Sequence, residues 1–134
     1  MIRISHMNLQ KMLSAAEFAY PNECCGLLAG INLKDSSYEI SRVVESRNVH
    51  PMGSNDRFEV DPRVRFNLMR ELGEIGKISA GPERLLGHYH SHPDHPATPS
   101  EHDFACAFEP NLFWIILGLS NGSVRQVGAY QLNI

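Results

Sequence analysis

The chain has 134 residues, of which 43% are hydrophobic and 20% charged, the proportions of a single globular domain over residues 1–134 with length enough for one core. A formal net charge of −3 and a pI near 6.1 give no basic footprint, which argues against nucleic acid as the main partner. The longest apolar run, residues 112–119, is too short to span a bilayer, and the N-terminus lacks the basic-then-apolar pattern of a signal peptide, so a cytoplasmic location is expected.

Ile2, Arg3 and Ile4 form a short predicted strand. From Asn8 onward, Leu9, Met12, Leu13, Ala16 and Tyr20 keep helical spacing until Pro21 stops the helix. Residues 24–29, closed by Gly30, read as a buried strand, and residues 38–44 as its partner across a turn containing Asp35, Ser36 and Ser37. Residues 47–57 are rich in turn formers and predict a surface loop, followed by a brief strand at Phe58, Glu59 and Val60. Asp61 and Pro62 then mark a helix start, with Asp as N-cap and Pro as first helical residue. Val64, Leu68, Leu72 and Ile75 line one face of that helix, and Gly73 and Gly76 weaken its end.

Leu85 and Leu86 lead into a strand that contains His88, His90 and His92, while Pro93, Pro96 and Pro99 force the chain out of regular structure into an ordered loop. Ser100 caps a short helix whose first turn holds Glu101, His102 and Asp103, and whose apolar face is Phe104, Ala105 and Phe108. Residues 112–119 fit a strand buried on both faces, and a short buried helix nearly as well. Asn121 and Gly122 signal a hairpin into a last strand over residues 123–130. This order predicts an α/β fold, a three-layer sandwich in which helices flank a mixed central β-sheet.

Five of the seven histidines lie in residues 88–102. On a strand, side chains alternate, so His88, His90 and His92 face one side and any neighbouring pair can grip one metal ion. Spacing alone leaves the pairs His88/His90 and His90/His92 open. Ser100 and Asp103 fit the S-x-x-[DE] cap, but an Asp in a first turn beside a His-x-His strand end is also placed to be an anionic third ligand. Two His and one Asp leave a fourth tetrahedral position for water, the mark of a catalytic zinc. Glu23, between a helix stop and a strand, reads by itself as a solvated turn residue. Cys24, Cys25 and Cys106 contain no CxxC pair and read as small buried hydrophobes.

The string His90-Ser91-His92-Pro93 with Ser100 and Asp103, in the pattern H-x-H-x7-S-x-x-D, resembles the signature of the JAMM, or MPN-plus, zinc metalloproteases. Residues 21–30, PNECCGLLAG, resemble that family's upstream segment, and Gly87-His88-Tyr89 is also similar to it. The resemblance implies Zn2+ held by His90, His92 and Asp103, Glu23 as catalytic proton carrier, and Ser100 as the hydroxyl that stabilises the transition state. It points to the compact prokaryotic branch and implies cleavage of a peptide or isopeptide bond after the C-terminal Gly-Gly tail of a ubiquitin-like or sulfur-carrier protein. Two other classes fit the residues less well. A zinc deaminase needs H-x-E or C-x-E followed by P-C-x-x-C, and Cys106 stands alone. A non-catalytic MPN-type interaction module that binds zinc is the stronger rival, although the ligand set is complete.

Overall fold

The computed structural model describes residues 1–51, 57–74, 81–101, 103 and 111–131. Its elements run β1 (Ile2–Ile4), α1 (His6–Ala19), β2 (Cys25–Asn32), β3 (Tyr38–Ser46), α2 (Pro62–Glu71), β4 (Arg84–Pro93), β5 (Phe113–Ser120) and β6 (Ser123–Gln131). The strands form one sheet in the order β1-β3-β2-β4-β5-β6. β1 and β3 are parallel, as are β4 and β5, and the other neighbours are antiparallel, so the sheet is mixed.

Helices cover both faces. Met12 and Ala16 of α1 are fully buried against a cluster that includes Leu28, Leu86, Tyr89, Ile115 and Leu117; burial of Met12 alone stabilises the fold by roughly 1.5–3 kcal/mol. Leu68 and Leu72 pack on the opposite face against Leu27, Ala29 and Leu85. The two faces separate because successive strand residues alternate, as Leu27, Leu28 and Ala29 do. In β4 a register shift opposite Leu28 and Ala29 skips one residue, with Leu28 pairing to Gly87 and Ala29 to Leu85. That bulge explains why Leu86 and Tyr89, three apart, share the α1 face. Beyond it, alternation carries His88, His90 and His92 to the other face.

Local signals set the helix starts. The Ser5 side chain accepts from the Asn8 N–H at 3.1 Å, and α1 begins at His6, two residues before the expected start. The Asp61 carboxylate accepts from the Arg63 N–H at 2.9 Å, and Pro62 is the first residue of α2. Two expectations need correction. β2 runs through Gly30 to Asn32, since a Cβ there would lie 1.9 Å from the Glu39 carbonyl oxygen; the glycine permits a close strand approach instead of ending the strand. Residues 58–60 form no strand, and pairing is limited to an isolated bridge between Asn48 and Val60, because Pro62 and the Asp61 cap turn the chain into α2 at once. Residues 112–119 resolve as the strand β5, hydrogen-bonded to both β4 and β6. Asn121 and Gly122 make the expected turn with φ of 52° and 83°. Ile75, Gly76, His102, Phe104, Ala105, Cys106 and Phe108, and residues 52–56 of the expected loop, lie outside the described residues.

Candidate metal centre and active site

The site forms where β4 ends. Cys25 pairs with His90 in the antiparallel register of β2 and β4, and two further residues along that register set Glu23 opposite His92. Two hydrogen bonds lock the junction: the Cys24 N–H donates to Ser91 Oγ at 2.8 Å, and the Ser91 N–H donates to the Cys24 carbonyl at 3.1 Å. Ser91 therefore ties the strands on the α1 face while its two neighbours present imidazoles on the other. Glu23 is only 4% exposed, which overturns its reading as a solvated turn residue. The cause is non-local: its chain neighbours are clamped to β4.

Among the candidate ligands the structure brings His90, His92 and Asp103 together. His90 Nε2 and His92 Nε2 lie 3.2 Å apart, His90 Nε2 lies 3.3 Å from Asp103 Oδ1, and His92 Nε2 lies 3.1 Å from Asp103 Oδ2. Three donors on a tetrahedral ion at bond lengths of about 2.0 Å would be separated by about 3.3 Å, so the triangle has the size of a zinc coordination face. The tautomer agrees. His92 Nδ1 lies 3.0 Å from the Pro96 carbonyl oxygen, which can only accept, so Nδ1 carries a proton and Nε2 is the nitrogen left for a metal ion when the ring is neutral. Two ring nitrogens and a carboxylate that converge on one point suit a cation. A Glu23 oxygen also lies within 4.8 Å of ligand atoms of both His90 and His92, a second cluster around the same point. Asp103 lies within 3.3 Å of both imidazoles, and Glu23 lines the adjoining cleft.

Electrostatics are strongly coupled. Burial opposes charge on Asp103, but hydrogen bonds from His90 and His92 outweigh it and hold the carboxyl far below the usual range. Burial lowers His90; at His92 burial also pulls down, yet Asp103 and the Pro96 carbonyl raise it overall. His88 is not part of the triangle. Burial lowers it to about 3, and its ring lies between Trp114 and His90 at centroid distances of 6.1 and 5.5 Å. Phe58 stacks on His90 at 4.2 Å, an aromatic wall that motif spacing does not reveal. Cys24 and Cys25 are buried free thiols, pushed by burial to about 11 and about 12.

Ser100 performs its helix-cap role, accepting from the Asp103 N–H at 3.0 Å while Asp103 Oδ2 accepts from the Ser100 N–H at 2.8 Å. Because the hydroxyl accepts in that bond, its own hydrogen stays available to donate. Ser100 also lines a cleft of about 280 Å³ with Glu23, His92, His95, Pro96, Thr98 and Pro99. The cleft places a buried carboxylate, the candidate ligand His92 and a hydroxyl around one space, groups of the kind metal-assisted hydrolysis uses.

Comparisons with known proteins point to one family. Residues 6–130 match the model of the prokaryotic homologs of the JAB domain. The 26S proteasome regulatory subunit Rpn11 of Schizosaccharomyces pombe is 34% identical over 93 residues, which are 69% of this chain and 28% of that protein; the chain thus spans under a third of that relative. A solved protein from Desulfitobacterium hafniense is 30% identical with a TM-score of 0.74, over 98% of this chain and 90% of its own. A structure described as a JAMM metalloprotease-like zinc site in the proteasome and signalosome shares the fold, with a TM-score of 0.53 at 19% identity, over 98% of this chain and 87% of its own.

Proposed function

The chain belongs to the prokaryotic JAB family, and from that membership we propose that it is a zinc-dependent hydrolase of the JAMM type. In this reading it cleaves a peptide or isopeptide bond after the Gly-Gly tail of a ubiquitin-like or sulfur-carrier protein. The observation that carries it is the triangle of His90, His92 and Asp103, 3.1–3.3 Å on a side, beside buried Glu23 and an open cleft. His90 Nε2, His92 Nε2 and an Asp103 oxygen would hold the Zn2+. Bound there, zinc supplies Lewis acidity and makes a water nucleophile available near neutral pH. The Glu23 carboxylate accepts the proton of the attacking water and passes it to the departing amine. The Ser100 hydroxyl donates to the developing oxyanion. His92 keeps its metal-facing lone pair because Nδ1–H is held by the Pro96 carbonyl.

The Gly-Gly specificity rests on the family and on one physical constraint: two glycines let a backbone approach the buried donors where a side chain would collide. β4 is paired on both sides, to β2 and β5, so the tail adds no strand beside β4. The test incubates the zinc-loaded protein with a carrier fusion, the same fusion with valine for either terminal glycine, and an unrelated flexible peptide. Cleavage of the first alone is expected. Equal cleavage of all would mean a general peptidase, and cleavage of none with zinc bound would favour a zinc-binding interaction module.

A further inference from the structure

The loop between β4 and Ser100 carries more restraint than its own sequence supplies, and most of it comes from the far end of the chain. Tyr130 Oη on β6 donates to the Ala97 carbonyl. The Ala97 N–H donates to the Gln126 side-chain oxygen at 3.2 Å. One turn earlier, Asp94, in the left-handed region at φ 58°, accepts from Tyr20 Oη at 2.6 Å and from the Asn121 N–H at 3.0 Å. Glycines make the seat close: a Cβ on Gly118 would stand 2.7 Å from the Ala97 nitrogen and 2.9 Å from the His95 carbonyl oxygen, and one on Gly128 would stand 2.6 Å from the Ala97 carbonyl oxygen. Ala97 is accordingly 4% exposed although it sits in a loop.

Between these anchors lies Pro96, whose carbonyl oxygen meets His92 Nδ1. With Asp94 and Ala97 fixed on either side, that carbonyl has little freedom, and as an acceptor it keeps a proton on His92 Nδ1 and leaves Nε2 for the metal. We infer that Gln126 and Tyr130 are positioning residues of the metal centre, acting through Ala97 and the Pro96 carbonyl to hold His92 in its metal-binding tautomer. They touch neither metal nor substrate. The inference rests on the metal site proposed above and extends it from β4 to the last hairpin. A partner that orients a ligand commonly changes metal affinity by about 10–100-fold when removed, and residues one bond further out fall at the lower end of that range.

The test measures zinc affinity of the full chain by competition with a chromophoric chelator, together with the ¹⁵N chemical shifts of His92 in metal-free protein. Tyr130→Phe and Gln126→Ala should each weaken zinc binding about tenfold and shift His92 toward mixed tautomers, while Gln126→Glu, which keeps an acceptor for the Ala97 N–H, should restore both. Ser5→Ala serves as control, because it loosens the α1 cap and lowers thermal stability without touching the loop. Zinc affinities of Tyr130→Phe and Gln126→Ala within twofold of the parent would overturn the inference, as would an equal loss in Ser5→Ala. A parent protein that binds no zinc would overturn the metal site itself, and this inference with it.

Discussion

Ser5 and Ser100 make the same hydrogen bond in two different settings. Each hydroxyl accepts from the backbone N–H three residues on, at 3.1 Å from Asn8 and 3.0 Å from Asp103. The difference lies in that third residue. Asn8 sends its side chain to the Ser41 carbonyl at 3.4 Å and fastens α1 to β3, whereas Asp103 turns its carboxylate to two imidazoles. Capping thus leaves the rest of a first turn free for other work. What converts a helix start into a metal site is the strand end beside it, and no local pattern reports on that.

The comparison can be broken at either serine. The largest effect is expected at Asp103→Ala, which removes one proposed ligand and the return half of the cap; it should lose most of its zinc on gel filtration, while His88→Ala retains it. Equal loss in both would reassign the histidine pair. Glu23→Gln should keep zinc and lose turnover by roughly 10²–10⁴, since its role is proton transfer. Ser100→Ala should lower kcat by roughly 10²–10³ if its hydroxyl donates to the oxyanion. Ser5→Ala should leave kcat unchanged and cost about 1 kcal/mol of stability in urea. A Ser100→Ala protein that behaves in the same way would make the two serines plain caps alike.

The third capped helix start adds a pH test with the smallest effect. The Arg63 side chain and its backbone N–H hold the Asp61 carboxyl below its usual range, and Arg47 lies 3.7 Å away. A carboxylate with a depressed folded pKa stabilises the fold above its unfolded pKa of about 3.9, and this contribution disappears as pH falls through the lower folded value. Asp61→Asn keeps an acceptor but no charge. Its urea midpoint should fall below that of the parent near pH 6, and the gap should close as pH drops well below about 3.9; a gap constant with pH would show that the charge contributes nothing. The hydroxyl cap at Ser5 carries no such dependence.

Elements whose causes are local were legible from the residues. Asp61 and Pro62 mark the start of α2, helical spacing marks the body of α1 from Asn8 though not its Ser5 cap, the Leu85-Leu86 lead-in marks β4, and Asn121-Gly122 marks the last hairpin. Gly30 and residues 58–60 misled for one reason: a glycine's meaning depends on the strand that approaches it, and three strand-forming residues need a partner that pairs with all of them. The His-x-His spacing announced metal chemistry but left three histidines in two equivalent pairs.

By itself, then, the sequence determined the start of α2, the body of α1, the last hairpin, the H-x-H-x7-S-x-x-D pattern and the common face of the imidazoles, because each depends on neighbours close along the chain. Tertiary structure alone decided that His92 and not His88 faces Asp103, that Glu23 is buried, and that Gln126 and Tyr130 hold the loop over Pro96. These rest on the Cys25–His90 register and on β5 beside β4 with β6 next in the sheet. Such pairings join residues tens of positions apart, and only the packed sheet brings them within hydrogen-bond reach.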